Sequence, residues 1–235
     1  MYKNKTILGL ITARGGSKSI PKKNIALLLD KPLIAYTIEA AQKSAFLTRT
    51  IVSTDDEEIA RVARQYGAEV PFTRPKEFAT DTATSIAVAQ HALKELSDLD
   101  GASYDYVMIL QPTSPLRTAE DIDGAIRKAV DENADSVMSM YELTDFSSEK
   151  IKEIDEKNLL IKPYFKEEGK ESARRQTLTR AYKRNCAIYL TKSKLIEDGE
   201  LFGEKSLAYI MPEERSVDIN RPVDLALAEF WLQKR

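Results

Sequence analysis

The chain is poor in the features that mark several protein classes. It has a single cysteine, Cys186, which excludes an internal disulfide framework. Its single histidine, His91, lies between Gln90 and Ala92 on a predicted amphipathic helix, where a structural or surface role is the default reading. No internal repeat or low-complexity tract is present. The apolar stretch before Arg14 in MYKNKTILGLITARGG is too short for a signal peptide or a membrane span, so a cytoplasmic protein is expected. Charge of one sign is also missing. A net charge of −2 and a pI near 5.7 leave no broad surface for nucleic acid or anionic membrane, and neither partner is expected. GxxxxGK[ST] and GxGxxG are both absent, so two common glycine-loop nucleotide motifs are excluded.

What is present suffices for one full-sized core. With 235 residues, 43% hydrophobic and 31% charged, the chain is short for two independent domains and reads as one domain over residues 1–235. Apolar β-rich runs alternate with helical patterns, the sign of a mostly parallel sheet with crossover helices. Strands are predicted at Thr6–Thr12, Thr50–Ser53, near Glu69–Phe72, at Tyr104–Leu110 and at Ser136–Met140. Helices are predicted at Pro32–Ser44, Asp56–Tyr66, Thr82–Leu96 (capped by Asp81 or Thr82), Ala119–Asn133 and from about Pro222, the last with Leu225, Leu227, Ala228, Trp231 and Leu232 on its packed face. The pattern breaks over Tyr141–Arg180, which is rich in Lys and Glu and reads either as a surface excursion or as an extension whose Leu159, Leu160, Ile161, Tyr164 and Phe165 are buried in a contact.

The most informative segment is Leu10–Asn24, LITARGGSKSIPKKN. An apolar strand runs into two adjacent glycines and the cations Arg14, Lys18, Lys22 and Lys23. A Gly-Gly pair lets backbone N–H groups turn toward an anion with no Cβ in the way, and the cations surround that point. In an open α/β sheet this loop lies at the carboxyl end of the first strand, where ligands bind.

ARGGSK followed by IPKKN resembles the signature loop of the acylneuraminate cytidylyltransferases, which make CMP-activated sialic and related nonulosonic acids. VSTDD, TRPKEFATDTATS, LQPTSPLRT, RRQTLTRAYKRNCAIYL and SVDINRPVDL follow in the same order over nearly the whole chain. The resemblance implies a Rossmann-like nucleotide-diphospho-sugar transferase fold, and a homodimer in which residues 141–180 dock on the second subunit. It implies CTP at Arg14, Gly15, Gly16, Ser17, Lys18, Lys23 and Asn24, with Arg74, Ala83 and Ser85 forming the cytosine pocket. It places the sugar at Gln111, Arg175, Gln176, Tyr182, Arg184 and Asn185, with Arg174 the weakest member of that block. Arg14, Lys23 and Asp218 become the catalytic residues. Displacement at phosphorus needs chiefly positioning and charge neutralisation, so Mg²⁺ or Mn²⁺ is expected on Asp218 and Asn220.

Three residues depart from the family pattern. Asp-x-Asp is replaced by Asp218-Ile219-Asn220, which removes one charge from the expected metal pair. Cys186 stands where glycine is frequent in an Arg-Asn-Gly run, and Ser19 replaces another frequent glycine. Pro112 and Thr113 after Gln111 favour the nonulosonate branch, because the enzymes acting on 3-deoxy-manno-octulosonate usually carry an acidic residue two places after this glutamine. Two other readings stay open: a cytidylyltransferase for another sugar, and a non-catalytic nucleotide-binding module, which Asn220 taken alone would suggest.

Overall fold

A computed structural model describes residues 1–17, 19–144, 151–155, 157, 160–163 and 180–234. In chain order the elements are β1 (Ile7–Thr12), a short hairpin of β2 (Leu27–Leu28) and β3 (Lys31–Pro32), α1 (Leu33–Gln42), β4 (Arg49–Ser53), α2 (Glu57–Gln65), α3 (Ser85–Asp100), β5 (Tyr106–Leu110), α4 (Ala119–Asp131) and β6 (Ser136–Glu142). A second hairpin, β7 (Lys152–Ile154) and β8 (Ile161–Pro163), precedes β9 (Tyr182–Lys192), α5 (Ser193–Glu197), β10 (Ser206–Ile210) and α6 (Pro222–Gln233). One six-stranded sheet has the order β10-β6-β9-β5-β1-β4. Every pairing in it is parallel except those of β9, which is antiparallel to both β5 and β6.

Alternation along β1 explains the layering. Ile7 and Ile11 pack with Ile34 and Ile38 of α1, Ile59 of α2 and Ile122 and Ile126 of α4. Leu8 and Leu10 point the other way, onto Ala89, Ala92 and Leu96 of α3 and Ile196 of α5. A third cluster decides where the site forms: Ile20, Leu28 and Leu33 pack with Leu116, Val217, Ile219 and Ala228, which pins the chain after the first loop to the segment before α6. Among the described residues, no helix is long and apolar enough to cross a membrane.

Several predicted elements shift for local reasons. The strand near Glu69–Phe72 is reduced to a single parallel bridge, Ile51 to Glu69, with Pro71 following two residues later. Helix α3 begins at Ser85 because Thr84 caps it, accepting from the Ala87 amide at 3.2 Å, while Asp81 is engaged by Arg14. Asp56 caps α2 as its position suggests, accepting from the amides of Glu58 and Ile59. On α6, Ala228 is buried, but Leu227 is 46% exposed. In the segment 141–180, β6 extends to Glu142, and Ile154 and Leu160 of the β7–β8 hairpin are exposed. Leu159, Tyr164 and Phe165 lie outside the described residues.

Asp121 ties α4 to the turn before the C-terminal segment. It is fully buried, forms a capping box with Thr118, and accepts from Arg215 Nε at 3.0 Å and Nη2 at 2.8 Å. Burial pushes its carboxyl up, but the bonds from Arg215 and Thr118 outweigh this and hold it below the usual carboxylate range. A depressed carboxyl stabilises the fold above its unfolded pKa of about 4 and ceases to do so as pH falls through the folded value. Asp121→Asn is therefore expected to lose about 3 kcal/mol in urea unfolding near neutral pH. The gap to wild type should narrow below about pH 4, and a gap unchanged at low pH would contradict this role.

Candidate active site

The carboxyl ends of β1, β4 and β5 open into a cleft of about 490 Å³. Arg14, Ser17, Lys23 and Asn24 form one wall, Arg74, Ala83 and Ser85 another, and Gln111 closes it after β5. The glycines shape the first loop more than they line it. The Gly15 amide donates to Asp55 Oδ1 at 3.0 Å, and a Cβ on Gly15 would come within 2.7 Å of Asp56 Oδ2, whereas one on Gly16 would meet nothing within 4 Å. Asn24 is buried and donates from Nδ2 to the Arg14 carbonyl at 2.9 Å, fixing the turn. Lys22 sits in a left-handed conformation, φ 50°, and pairs with Glu58 on α2. Lys18 lies outside the described residues.

Two arginines in the cleft differ in freedom. Arg14 Nη1 meets Asp81 Oδ1 at 2.7 Å, and both side chains are partly exposed. Arg74 is 4% exposed; its Nε donates to Ser53 Oγ at 3.0 Å, Nη1 to the Phe78 carbonyl at 3.4 Å and Nη2 to the Ser53 carbonyl. Burial pushes its pKa down to about 10, against the pull of Asp55. Of its five N–H donors three are so engaged, which leaves two for a planar acceptor in the cleft.

A second cleft, about 650 Å³, lies beside the first. Lys183, Arg184, Asn185 and Cys186 of β9 line it, as do Asp218, Arg221, Leu227 and Trp231, and it shares Asn220 with the first. Lys23 stands at this seam. Its Nζ donates to the Ile219 carbonyl at 2.8 Å and lies 3.5 Å from Asn220 Oδ1. Asn220 Nδ2 in turn donates to Asp218 Oδ2 at 2.8 Å, and Asp218 Oδ1 is buried with no hydrogen-bond partner among the described residues. Burial lowers the pKa of half-buried Lys23 from its usual value, with Asp218 pulling it back up and Arg14 pushing it further down.

The second cleft is shaped by an irregularity in β9. Between the pairs Met138–Tyr189 and Met140–Arg184 the register slips, and Cys186 adopts φ 61°. That left-handed conformation is a physical reason for glycine at this position. Asn185, buried at the bulge, accepts from Ser139 Oγ at 2.5 Å and donates to Ser216 Oγ at 2.9 Å, so its amide is committed to the protein. The Cys186 thiol is pushed up by burial, opposed by a hydrogen bond from Tyr189 Oη at 3.3 Å and reinforced by the charge of Asp218. Arg184 is exposed, its guanidinium 6.0 Å from the centre of the Phe202 ring. Tyr182 is exposed at the start of β9, opposite Glu142, and lines neither cleft. Arg174, Arg175 and Gln176 lie outside the described residues.

The structure thus gathers Arg14, Ser17, Lys23, Asn24, Arg74, Ala83, Ser85 and Gln111 in one cleft and Arg184, Asn185 and Asp218 in the other, with Asn220 in both. Sequence reasoning did not single out Lys183, Arg221 or Asp81 as site residues, although each lies inside one of the quoted blocks. It also missed Arg117, buried beneath Gln111. Among the described residues, no group of three or more His, Cys, Asp or Glu side chains is placed to hold a metal.

A six-stranded sheet with one reversed strand and a two-part cleft at its carboxyl edge defines a mixed α/β protein with a ligand-sized site. A family model described as cytidylyltransferase matches residues 8–215, and the chain belongs to that family. It is 35% identical over 224 residues to a pseudaminic acid cytidylyltransferase of Campylobacter jejuni, covering 95% of this chain and 94% of that one. It is 37% identical to a CMP-N,N'-diacetyllegionaminic acid synthase of Legionella pneumophila, covering 97% and 96%. An N-acylneuraminate cytidylyltransferase of Escherichia coli is 36% identical over 97% of this chain and 52% of its own length. The fold matches a CMP:2-keto-3-deoxy-manno-octonic acid synthetase complexed with CTP at TM-score 0.71, 14% identity and coverage of 97% and 99%.

Gly15→Ala forces Asp56 to move and disturbs the cap of α2, so it should cost about 1 kcal/mol of stability and reduce the melting shift produced by CTP. Gly16→Ala should change neither. Equal behaviour of the two variants in a thermal-shift assay would remove the steric argument.

Proposed function

We propose that this protein transfers CMP from CTP to the anomeric hydroxyl of a nonulosonic acid, releasing pyrophosphate. The observation that carries this reading is the seam: a cleft lined by Arg14, Arg74 and Lys23 meets a second, with Lys183, Arg184 and Asp218, at Asn220. The first suits a nucleoside triphosphate. The two free donors of Arg74, beside Ala83 and Ser85, suit the carbonyl and ring nitrogen of cytosine, and Arg14 and Lys23 neutralise the phosphates. Binding CTP requires Arg14 to exchange Asp81 for phosphate. The second cleft suits an acidic sugar, since Arg184 offers a guanidinium to a carboxylate by parallel hydrogen bonds.

In this arrangement the sugar hydroxyl attacks the α-phosphorus at the seam, the bond to the β-phosphate oxygen breaks, and pyrophosphate leaves. Asp218, which lines the second cleft beside Asn220, accepts the hydroxyl proton. Lys23, held by the Ile219 carbonyl, faces the charge that develops. Asp218 and Asn220 are hard oxygen donors two residues apart that would hold Mg²⁺ or Mn²⁺ together with CTP phosphates once the Asn220 amide, whose Nδ2 now donates to Asp218 Oδ2, turns its oxygen to the ion. Such an ion would add charge neutralisation at the phosphates.

The relatives at 35–37% identity favour a nonulosonic acid. Likeness at 14% identity to the octonic acid synthetase is a likeness of fold. Thr113, two places after Gln111, is 9% exposed, and its carbonyl accepts from the Ile219 amide at 2.8 Å, so a carboxylate there would place a second buried charge beside Asp218. The exposed Ile154 and Leu160 of the β7–β8 hairpin support a homodimer through residues 141–180. The use of CTP supports a cytoplasmic location.

Pyrophosphate release should appear with CTP, Mg²⁺ and one of N-acetylneuraminate, legionaminate or pseudaminate, and not with 3-deoxy-manno-octulosonate. Silence across all four sugars with CTP still bound would overturn the reading in favour of a binding module. Lys23→Ala should abolish turnover with the fold intact. Asn220→Asp should lower the Mg²⁺ concentration needed for half-maximal rate, and an unchanged titration would mean that position 220 does not face the ion.

A further inference from the structure

Arg117 is a buried cation that the proposed chemistry does not use. It is 2% exposed, and burial pushes its pKa down to about 9 against the pull of Asp121. Among the described residues no carboxylate forms an ion pair with it, and Asp121, whose charge it feels, is engaged by Arg215 and Thr118. Instead Arg117 Nη1 donates to two backbone carbonyls, that of Ala187 at 2.8 Å and that of Gln111 at 3.3 Å. Its Nε and Nη2 have no partner among the described residues. A buried guanidinium with two orphaned nitrogens is a costly way to fill space, and an apolar side chain would do so more cheaply.

The two carbonyls show what the arginine holds. Gln111 follows β5 and lines the first cleft. Ala187 follows Cys186 in the bulge of β9, the stretch that walls the second. Beside Arg117, Ser114 Oγ donates to the Asn185 carbonyl at 3.3 Å, and the Thr113 carbonyl accepts from the Ile219 amide at 2.8 Å. The loop 111–118 is thus bonded to the β9 bulge and to the Asp218–Asn220 segment, and one Arg117 nitrogen joins the walls of both clefts. We infer that Arg117 is a positioning residue that sets the spacing between the two clefts, and so between the α-phosphate and the attacking sugar hydroxyl.

This inference rests on the cytidylyl-transfer reading above. A misplacement of about 1 Å between reacting groups lowers a rate by about 100-fold without loss of binding. A guanidinium is a rigid planar fork, whereas a lysine in its place keeps the charge but presents one compact ammonium on a flexible stem. Arg117→Lys is therefore expected to lower kcat by about 10- to 100-fold, with KM for CTP within about twofold of wild type and an unchanged CTP-induced melting shift.

The test is steady-state kinetics of Arg117→Lys and Arg117→Met beside wild type, with melting curves in the presence and absence of CTP. A fall in kcat alone supports the role. A lowered melting temperature with wild-type kcat, or a loss carried by KM for CTP, overturns it and leaves Arg117 a packing residue. If neither Arg117 variant folds, Ser114→Ala, which removes the adjacent tie to the Asn185 carbonyl, should show the same split with a smaller fall in kcat, and wild-type kcat there overturns the role. Wild-type protein silent with every sugar sinks the parent reading and this one together, whereas active wild type with an equally active Arg117→Lys sinks only this one.

Discussion

The hydrogen bond from Lys23 to the Ile219 carbonyl joins residues 196 positions apart, and the site depends on it. It draws the loop after β1 onto the segment before α6. The apolar cluster of Ile20, Leu28, Leu116, Val217 and Ile219 holds that contact in place. The cluster brings the two segments together, and the bond fixes where the Lys23 ammonium stands relative to Asp218. With it, a cation, an amide and a carboxylate stand in line across the seam of two clefts, each hydrogen-bonded or adjacent to the next.

The second constraint is the reversal of β9. Five strands of the sheet share one direction, and β9 alone runs against them. Its register slip opposite β6 leaves residues 185–188 without regular pairing and turns Cys186 into the left-handed region. The buried amide of Asn185 stabilises that irregularity by bonding Ser139 and Ser216. Asn185 thus shapes the second cleft through the backbone, while Arg184 offers its side chain to it. Cys186 brings a thiol and a strained φ to a place where glycine would be unstrained, and its sulfur faces the charge of Asp218.

Much of the parallel half of the fold was legible in residues. β1, β4 and β5 are short apolar runs buried on both faces, and α1, α2 and α4 carry clear helical periodicity. The first loop was legible because two glycines and several cations follow a strand directly. β9 was not, because its first half reads Tyr-Lys-Arg-Asn-Cys, polar residues with no strand alternation, and its central place comes from long-range pairing with β5 and β6. The start of α3 was misplaced because Asp81, a good capping residue by type, is claimed by Arg14. Arg117 escaped notice because a single arginine in a polar block looks solvated until its burial is known. The shared role of Asn220 at the seam was only half legible: its spacing from Asp218 was plain, its contact with Lys23 was not.

The family is carried by the chain as a whole; in the proposed reading the identity of the sugar is carried by the second cleft, which a few residues of β9 line together with Leu227 and Trp231. Differences of one methyl or hydroxyl among nonulosonic acids are worth about 1–3 kcal/mol in such a cleft. The most direct test of the seam is a crystal structure with a CTP analogue that resists cleavage between the α- and β-phosphates, together with the sugar that supports turnover. The account predicts the α-phosphorus beside Lys23 and Asn220, with the anomeric oxygen about 3–3.5 Å from it. A triphosphate running toward Lys22 and Glu58, with the sugar carboxylate remote from Arg184, would contradict it.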